Sequence, residues 1–330
     1  MAEKMSSKQG AAQSSITVRI AVFLLSMIWA SLSLTQEAPM VFLTSHAETG
    51  SSATTAKIMQ QKLEEYLGRS VEYQFQQGTY AGVGVPPDGN TMIMSVSGVM
   101  ALMPALVEDY DLDPFADLRP ITRVTLTPDL FIVRASLKVD SIEELVDYAA
   151  ASEKPLSYFH IAPQSIHRVE MESIFHEFGI DNVVLDESYG RGPAAALEAI
   201  KEGTLDMMSL TSPHVVPLLE NGQAKVLAVF NPRRSSIAPD APTLYELGIT
   251  TMEYGSWAGI YVPAGTSDEN ANRVFDAVKF TLQDPEVVEQ INNIGLEIGL
   301  SESPDEFVEF IQSETARFQT AVDKYEITLD

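Results

Sequence analysis

Five short loops of this chain carry small and hydroxyl-bearing residues, and each loop follows an apolar segment and precedes a helix-like one. The loops are Thr49-Gly50-Ser51-Ser52, Ser97-Gly98, Pro163-Gln164-Ser165, Gly190-Arg191-Gly192-Pro193 and Thr211-Ser212-Pro213. For any one loop, ordinary helix capping is a sufficient explanation, because Ser, Thr and Gly are favoured N-caps and Pro fits the first helical position. Five such loops at the carboxyl ends of strands indicate more, because open α/β sheets bind ligands at that edge.

The chemistry that these loops favour is the binding of an anion. Helix N-termini present unpaired N–H groups and the positive end of the helix dipole. Each exposed helix end contributes only about 0.3 to 1 kcal/mol. Useful affinity would therefore require enclosure of the anion between several loops, together with further hydrogen bonds.

Two arginines are candidate partners for this anion. Arg168 is predicted to lie in the first turn of a helix, where a positive side chain is unfavourable beside the dipole. A bound carboxylate would explain this position, and a chance surface location is the alternative. Arg191, between two glycines, has the same two interpretations. Tyr189 and Trp257 are either core residues or aromatic walls of a cleft.

Metal binding has little support in the sequence. Residues 109–113 carry aspartate at alternate positions, like the start of a calcium-binding loop. Pro114 stands where such a loop requires glycine, and Pro120 occupies its twelfth position, so a solvated acidic loop is favoured. His160 and His167 have no third ligand close to them in sequence. We expect no bound metal and no cofactor.

Enzymatic chemistry also lacks the residues that it needs. The chain has no cysteine, which excludes disulfides, thiol nucleophiles, thiolate zinc sites and a lipidated N-terminal cysteine. Ser256 stands one position too early for a G-x-S-x-G nucleophile elbow. Because no nucleophile, base and orienting group assemble in the sequence, an enzyme is the weaker alternative.

The elements that must position the loops alternate between apolar strands and segments with helical spacing. The predicted strands are 40–44, 91–96, 130–134, 156–161, 183–185, 207–210, 226–230 and 260–262. The predicted helices are 54–67, 100–108, 168–178, 194–202, 214–220, 270–282, 287–294 and 304–324, and another follows the capping box of Ser141 and Glu144. This alternation is typical of α/β layers around mainly parallel sheets.

Length and composition limit the remaining possibilities. With 330 residues, 45% of them hydrophobic, and a mean hydropathy of +0.02, the chain can bury a large core, and its length favours two domains. The net charge of −25 argues against nucleic acid as a partner, because phosphate binding needs a basic surface. A solvated acidic surface is the simplest interpretation. An anionic ligand would have to bind against this repulsive field through local dipoles and a few cations.

The N-terminal segment predicts export. Three basic residues, the last of them Arg19, precede the apolar run 20–34. This run of about 15 residues is shorter than the roughly 20 that a membrane span needs. Residues 1–33 are therefore interpreted as a signal peptide, with Ser31 and Ser33 before the cleavage site, and the mature protein is expected in the periplasm. A retained membrane anchor or a buried helix is the alternative.

Short motifs spread along the chain support one family resemblance. They are Pro87-Asp88-Gly89, Ser97-Gly98 with Pro104-Ala105-Leu106, Tyr189 with Arg191-Gly192, Pro239-Asp240-Ala241-Pro242-Thr243, Trp257-Ala258-Gly259 with Pro263-Ala264-Gly265-Thr266, Asp284-Pro285-Glu286-Val287 and Ser303-Pro304-Asp305-Glu306-Phe307. In order and spacing, these motifs resemble those of the tripartite tricarboxylate transporter solute receptors, the TctC or Bug family. The resemblance extends from about Pro39 to the C-terminus.

The resemblance implies a two-lobed periplasmic-binding-protein fold of type II, with two mainly parallel sheets flanked by helices and a cleft between the lobes. Lobe 1 would comprise 39–133 and 251–330 and lobe 2 would comprise 134–250, with two crossing segments as the hinge. Such a receptor closes as a monomer over a small organic carboxylate and delivers it to integral-membrane permease subunits. The expected ligand-binding residues are Gly50, Ser51, Ser52, Ser97, Gly98, Val99, Ser165, Ile166, His167, Arg168, Tyr189, Arg191 and Thr211. The alternative function is an extracytoplasmic sensor that presents its ligand to a signalling receptor.

The chain departs from the family pattern in its binding loops. The usual Pro-Gly-Gly-x-Thr-Asp of the first loop is replaced by residues 48–53, which lack one glycine and the aspartate and add Glu48. The glycine-rich stretch of the second lobe is replaced by residues 159–166, and the segment between Gly78 and Pro87 is shorter. We therefore expect a bulkier and stiffer pocket with its own specificity.

Overall fold

The computed structural model describes residues 38–44, 50–76, 81–190, 192–249 and 255–328. The predicted signal peptide, Arg191 and the predicted second crossing near residue 251 lie outside the described residues. Within these ranges, no helix has the length and apolar character that a bilayer crossing requires.

The described strands form two sheets. They are β1 (Met40–Thr44), β2 (Val71–Phe75), β3 (Thr91–Val96), β4 (Leu118–Thr127), β5 (Asp129–Arg134), β6 (Leu156–Phe159), β7 (Val183–Leu185), β8 (Met207–Thr211), β9 (Ala224–Phe230), β10 (Ser256–Pro263) and β11 (Glu297–Ile298). The first sheet has the strand order β11-β4-β10-β3-β1-β2, and the second has the order β7-β6-β8-β5-β9. The expected two-sheet α/β architecture is confirmed.

Both sheets are mixed, so the expectation of mainly parallel sheets is wrong in this detail. In the first sheet β1 pairs in parallel with β2 and β3, whereas the β10–β3, β10–β4 and β11–β4 pairs are antiparallel. In the second sheet β6 pairs in parallel with β7 and β8, whereas β5 is antiparallel to β8 and β9. Parallel neighbours need crossover connections such as helices. Each antiparallel pair includes β4, β5 or β10. The sequence does not predict these pairs as antiparallel, because an apolar pattern indicates that a segment is a strand but not in which direction it runs.

The first passage from one sheet to the other lies at Pro128. Strand β4 ends at Thr127 in the first sheet, and β5 begins at Asp129 in the second. The predicted lobe boundary after Val133 therefore falls inside β5, which pairs only within the second sheet. The assignment of the two sheets to two closing lobes stays a prediction.

The helices lie where the sequence predicts them, with small changes at their ends. They are α1 (Ser51–Leu67), α2 (Met103–Leu106), α3 (Ile142–Ala151), α4 (Ile166–Phe178), α5 (Ala194–Glu202), α6 (Ser212–Glu220), α7 (Asp268–Leu282), α8 (Pro285–Asn293) and α9 (Pro304–Lys324). A π-helical turn (Gly98–Leu102) precedes α2, and a 3-10 turn (Glu187–Tyr189) precedes α5. The N-cap of α3 is confirmed, because Ser141 Oγ accepts the N–H of Glu144 at 3.2 Å. The reciprocal bond is shifted by one residue, since the Glu144 carboxylate accepts the N–H of Asp140 at 2.8 Å and not that of Ser141.

The sequence pattern misses β2, β4 and β11. Strands β2 and β11 are short and only partly buried. Strand β4 is long, but it contains Pro120, which removes a ladder donor and normally argues against a strand. Its partner β10 has a register shift between Ile260 and Tyr261, where Tyr261 pairs with Pro120.

Helix α9 packs against the π-helical turn, α2 and β4, and its N-terminal half contacts Trp257. The indole ring is 1% exposed and lies edge-on to Phe307 and Phe310, with ring centroids 5.7 and 5.4 Å away. The indole N–H donates to Glu314 at 3.2 Å. Trp257 is thus packed in the core between β10 and α9, and it also contributes to the lining of the cavity described below, so both interpretations of this residue hold.

Candidate ligand-binding site

A cavity of about 380 Å³ lies between loops of the two sheets. This volume is within the range of small-molecule sites. On the first sheet's side the cavity is lined by residues 50–52 and 97–99, which we call the first rim. On the second sheet's side it is lined by residues 165–167 and Thr211, which we call the second rim.

The first rim begins at the N-terminus of α1. Gly50 is the N-cap of this helix and contributes no side-chain cap, and the first turn carries no acidic residue. The first N–H groups of a helix have no intrahelical acceptor. Those of Ser51 and Ser52 are therefore suited to bind an anion in the cavity.

The rest of the first rim surrounds the π-helical turn that starts at Gly98. Ser97 precedes this turn, and its hydroxyl accepts the N–H of Trp257 at 3.3 Å, which joins β3 to β10. A Cβ added at Gly98 would meet no atom within 4 Å, so the glycine leaves open space. Turns of this rare type frequently mark functional sites.

The second rim is formed by the N-termini of α4 and α6. Ser165 is the N-cap of α4, and its hydroxyl accepts the N–H of Arg168 at 3.3 Å. Thr211 is the N-cap of α6, and its hydroxyl lies 2.8 Å from Nδ1 of His214. Burial, and secondarily the neighbouring His167, lowers the pKa of His214, which favours a neutral ring in this contact. Both hydroxyls of the second rim are thus engaged locally.

The cavity lining carries little charge of its own. Among the described residues that line it, His167 is the only titratable one. Positive potential therefore comes from the α-helix N-termini of α1, α4 and α6, whose N-caps Gly50, Ser165 and Thr211 all line the cavity.

His167 also belongs to a buried polar cluster. Its Nε2 lies 3.8 Å from Oδ1 of Asp129, and the other oxygen of Asp129 accepts the hydroxyl of Ser256 at 2.8 Å. Glu170, one turn along α4, is fully buried and accepts the hydroxyl of Ser209. Burial, reinforced by the nearby carboxylate of Asp129, raises the pKa of Glu170 well above its usual range. The sequence does not predict this cluster.

The structure brings most of the predicted ligand residues together. Those that line the cavity are Gly50, Ser51, Ser52, Ser97, Gly98, Val99, Ser165, Ile166, His167 and Thr211. Arg191 lies outside the described residues. The binding role of each residue stays a prediction that this shared location supports.

Arg168 and Tyr189 are not among the lining residues. The guanidinium of Arg168 donates to the carbonyls of Pro163 and Thr328, which holds the loop before α4 against the C-terminal segment. Tyr189 packs edge-on against Phe159, with ring centroids 5.7 Å apart. Both side chains therefore make structural contacts in this geometry. The geometry does not support the predicted contact of either side chain with the ligand.

Several lining residues on β4 and β10 are not predicted from the sequence. Thr125 and Thr127 lie on β4, and Ser256 begins β10 four residues before the predicted strand start. Side chains two positions apart on a strand share a face. The alternation of threonine in β4 is the signal that could have identified this wall of the cavity.

Comparison with known proteins identifies the family of this chain and its fold. The model of the tripartite tricarboxylate transporter family receptor, TctC, matches residues 57–327. The chain belongs to this family of solute receptors, and the resemblance drawn from its motifs is confirmed. BugT of Bordetella pertussis is 24% identical over 284 residues, which cover 83% of this chain and 85% of BugT.

Two solved structures from Rhodopseudomonas palustris share the fold. MatC (Rpa3494) with bound malate is 23% identical, with a TM-score of 0.71 over 86% of this chain and 98% of MatC. Rpa4515 with adipate is 25% identical, with a TM-score of 0.75 over 88% of this chain and 98% of Rpa4515. The α/β fold is therefore that of TctC-type solute-binding proteins.

Proposed function

We propose that this protein is a periplasmic receptor that captures a small organic carboxylate and delivers it to the membrane permease of a tripartite tricarboxylate transporter. The observation that carries this proposal is the convergence of three α-helix N-termini on one cavity whose described lining contains no carboxylate. Such an arrangement favours an anion. Family membership supports the role of receptor rather than enzyme.

A dicarboxylate is the first candidate ligand. The cavity of about 380 Å³ admits only a small acid. MatC with malate and Rpa4515 with adipate are relatives whose ligands are dicarboxylates. In this chain one carboxylate would lie at the first rim, where the N–H groups of Ser51 and Ser52 are, and the second would reach toward Ser165 and Thr211.

Closure of the two sheets over the ligand is the expected binding motion. Strand β4 in the first sheet and β5 in the second are joined by Pro128 alone, so we expect the backbone to bend there. Closure would exclude water and strengthen each hydrogen bond to the carboxylate. Small-angle scattering should show a smaller radius of gyration with ligand than without it.

The compartment and the partners follow from the same proposal. Residues 1–33 would direct export to the periplasm, where the mature monomer would meet the permease subunits. Uptake of a labelled acid should then require both the receptor gene and the permease genes. If the receptor gene is dispensable for uptake but required for a transcriptional response, the sensor alternative replaces transport.

Ligand binding is tested with mature protein and a panel of mono-, di- and tricarboxylates. A ligand that binds only the folded state raises the melting temperature by mass action. We expect at least one dicarboxylate to do so, and its diamide, which has the same size without the charge, to have no effect. Calorimetry then gives the affinity. If no acid in the panel shifts the melting temperature, the proposed function is wrong.

A further inference from the structure

Three buried side chains at the edge of the cavity present polar atoms to one another. Asp129 begins β5, and His167 and Glu170 are three residues apart on α4, so they lie on one face of that helix. One potential ligand atom from each residue lies within 4.8 Å of the others. The exposed fractions of these residues are 0%, 5% and 0%.

The hydrogen bonding of the cluster is incomplete in a specific way. Within the described part of the chain, Oδ1 of Asp129, Oε1 of Glu170 and both ring nitrogens of His167 have no hydrogen-bond partner. Buried polar atoms normally have one, because an unpaired buried donor or acceptor costs about 1 to 3 kcal/mol. We therefore expect a further binding partner for these unpaired atoms in the space between them.

We propose that Asp129, His167 and Glu170 form a binding site for a divalent transition-metal cation of the Zn²⁺ or Mn²⁺ type. One imidazole and two carboxylates are ligands that such cations accept, whereas the imidazole disfavours Mg²⁺ and Ca²⁺. A dication also balances two carboxylates that otherwise lie close together in a buried place. This inference departs from the expectation of no metal that the sequence gives.

The distances are compatible with such a site. Metal–ligand bonds of about 2.0 to 2.2 Å in a tetrahedron place ligand atoms about 3.4 Å apart. Nε2 of His167 and Oδ1 of Asp129 are 3.8 Å apart, and all three candidate atoms are within 4.8 Å. An inward movement of about 1 Å at most would complete the geometry.

The surrounding hydrogen bonds orient the carboxylates for this role. Ser256 donates to Oδ2 of Asp129, and Ser209 donates to Oε2 of Glu170. Each serine therefore engages one carboxylate oxygen and leaves the other for a cation. Outer hydrogen bonds of this kind are a general feature of protein metal sites.

The location adds a functional consequence, which depends on the proposed carboxylate binding. His167 and Ser256 line the cavity, so a cation held by three protein ligands would lie at the cavity wall with coordination positions to spare. The described lining contains neither lysine nor arginine. The metal would supply positive charge there, and the bound acid would gain affinity from it.

The test uses mature protein treated with a chelator and then dialysed against Zn²⁺ or Mn²⁺, with metal content measured by mass spectrometry and affinity by calorimetry. We expect about one equivalent per chain, unaffected by excess Ca²⁺. Asp129→Asn, His167→Gln and Glu170→Gln should each weaken binding at least about 10-fold. Glu172→Gln, which removes a carboxylate from the same helix outside the cluster, should bind metal like the wild type.

Other outcomes overturn the proposal. Failure of the wild type to retain either metal, or equal retention by all four variants, would show that the cluster binds no metal. Glu170→Gln keeps an acceptor for Ser209, so we expect the metal-free variant to melt no lower than the metal-free wild type. Should a variant fail to fold, the visible absorption spectrum of wild-type protein with Co²⁺ decides, and a spectrum of hydrated Co²⁺ contradicts the site.

The same samples separate this inference from the proposed function. Carboxylates that bind equally well to chelator-treated and metal-loaded protein, with no metal retained, would leave the receptor function intact and remove the metal site. If metal binds with the expected stoichiometry but no carboxylate binds, the metal site is supported and the receptor function is wrong.

Discussion

The two rims of the cavity solve the problem of holding an anion in different ways. The first rim consists of glycine, serine and valine, and what it offers is mainly main-chain N–H groups at two helix starts. The second rim contains His167 and Thr211, whose side chains contact further polar residues behind them. One rim thus attracts negative charge through its backbone, and the other adds side chains that are connected to a buried network.

This difference indicates where affinity and specificity reside. Main-chain N–H groups bind any carboxylate, because they respond to charge and not to the rest of the ligand. Side chains that are fixed by second partners accept only certain shapes and charges. We therefore expect changes in the first rim to affect all carboxylates alike, and changes in the second rim to alter which one is preferred.

The largest effect is expected where the backbone of the two sheets approaches most closely. A Cβ at Gly255 would lie 2.7 Å from the carbonyl oxygen of Phe230 and 2.8 Å from main-chain atoms of Thr127 and Asp129. Main chain cannot move aside as a flexible side chain can, so Gly255→Ala should destabilise the protein by about 3 kcal/mol, at the upper end of overpacking costs. Denaturant unfolding measures this change.

The matched control is Gly98→Ala in the first rim. No atom lies within 4 Å of its added methyl group, and alanine is the better helix former, so stability should change by less than about 1 kcal/mol. The methyl group nevertheless occupies the cavity, so affinity should fall. Equal stability losses in the two variants would contradict the distinction between the crowded main chain around Gly255 and the open space at Gly98.

The next prediction concerns Ser51→Asp in the first rim, which should have opposite effects on ligand affinity and on the stability of α1. Ser51→Asp places a carboxylate at the start of α1, where a negative charge stabilises the helix by about 0.3 to 1 kcal/mol. The same charge repels the ligand, so affinity for every carboxylate should fall about 100-fold, or about 2.7 kcal/mol. Calorimetry and thermal melting on one sample measure both quantities.

Ala195→Asp is the control for this experiment, because it adds the same charge to the first turn of α5, outside the cavity lining. Affinity should remain within about threefold of the wild type. A comparable loss in both variants would mean that net charge, and not the position at the rim, governs binding.

A smaller effect is expected from Arg168→Ala, which lies next to the second rim in α4 but outside the cavity lining. If the side chain binds the ligand, affinity falls at least about tenfold. Its contacts with Pro163 and Thr328 favour a structural role, so we expect a lower melting temperature and an affinity within about threefold of the wild type. A tenfold loss of affinity at unchanged stability would restore the ligand role that the sequence predicts.

The sequence predicts those parts of the site that depend on local chemistry. Gly50, Ser165 and Thr211 are recognisable as helix starts because N-cap preferences act over a few residues, and all three line the cavity. The helix α9 and its serine cap are likewise local, and the predicted bounds 304–324 match. Local rules therefore locate the helix starts in both rims, whereas the family resemblance implies that these loops share one site.

Features that depend on distant segments are not predictable in this way. Asp129 lies near Glu170 only because α4 packs on β8, which is the neighbour of β5 in the second sheet, and neither residue belongs to a recognisable motif. Pro120 conceals β4 from propensity arguments, and with it the threonines at 125 and 127. For Arg168, a local rule gives a misleading prediction. Its position in the first turn of a helix suggests a cation that binds the ligand, whereas its guanidinium donates to two main-chain carbonyls.

The smallest expected effect concerns the contact between α4, which carries part of the second rim, and α9. Glu177 accepts hydrogen bonds from Lys324 and from the hydroxyl of Tyr325. Burial acts against the charge of Glu177, but these two hydrogen bonds outweigh it, so its pKa lies below the usual value. The two charged side chains are 25% and 42% exposed, so the pair should contribute less than about 1 kcal/mol.

The direction of the pH effect follows from the lowered pKa. A carboxyl group whose pKa is lower in the folded state stabilises that state above its unfolded pKa, and this contribution is lost as the pH falls through the folded value. Glu177→Gln should therefore lower the melting temperature slightly at neutral pH and cease to differ from the wild type in acid. Glu289→Gln, at an exposed position of α8, is the control and should show no such convergence. A deficit of Glu177→Gln that persists at the lowest pH would show that packing of α4 on α9, and not the charge, fixes the second rim.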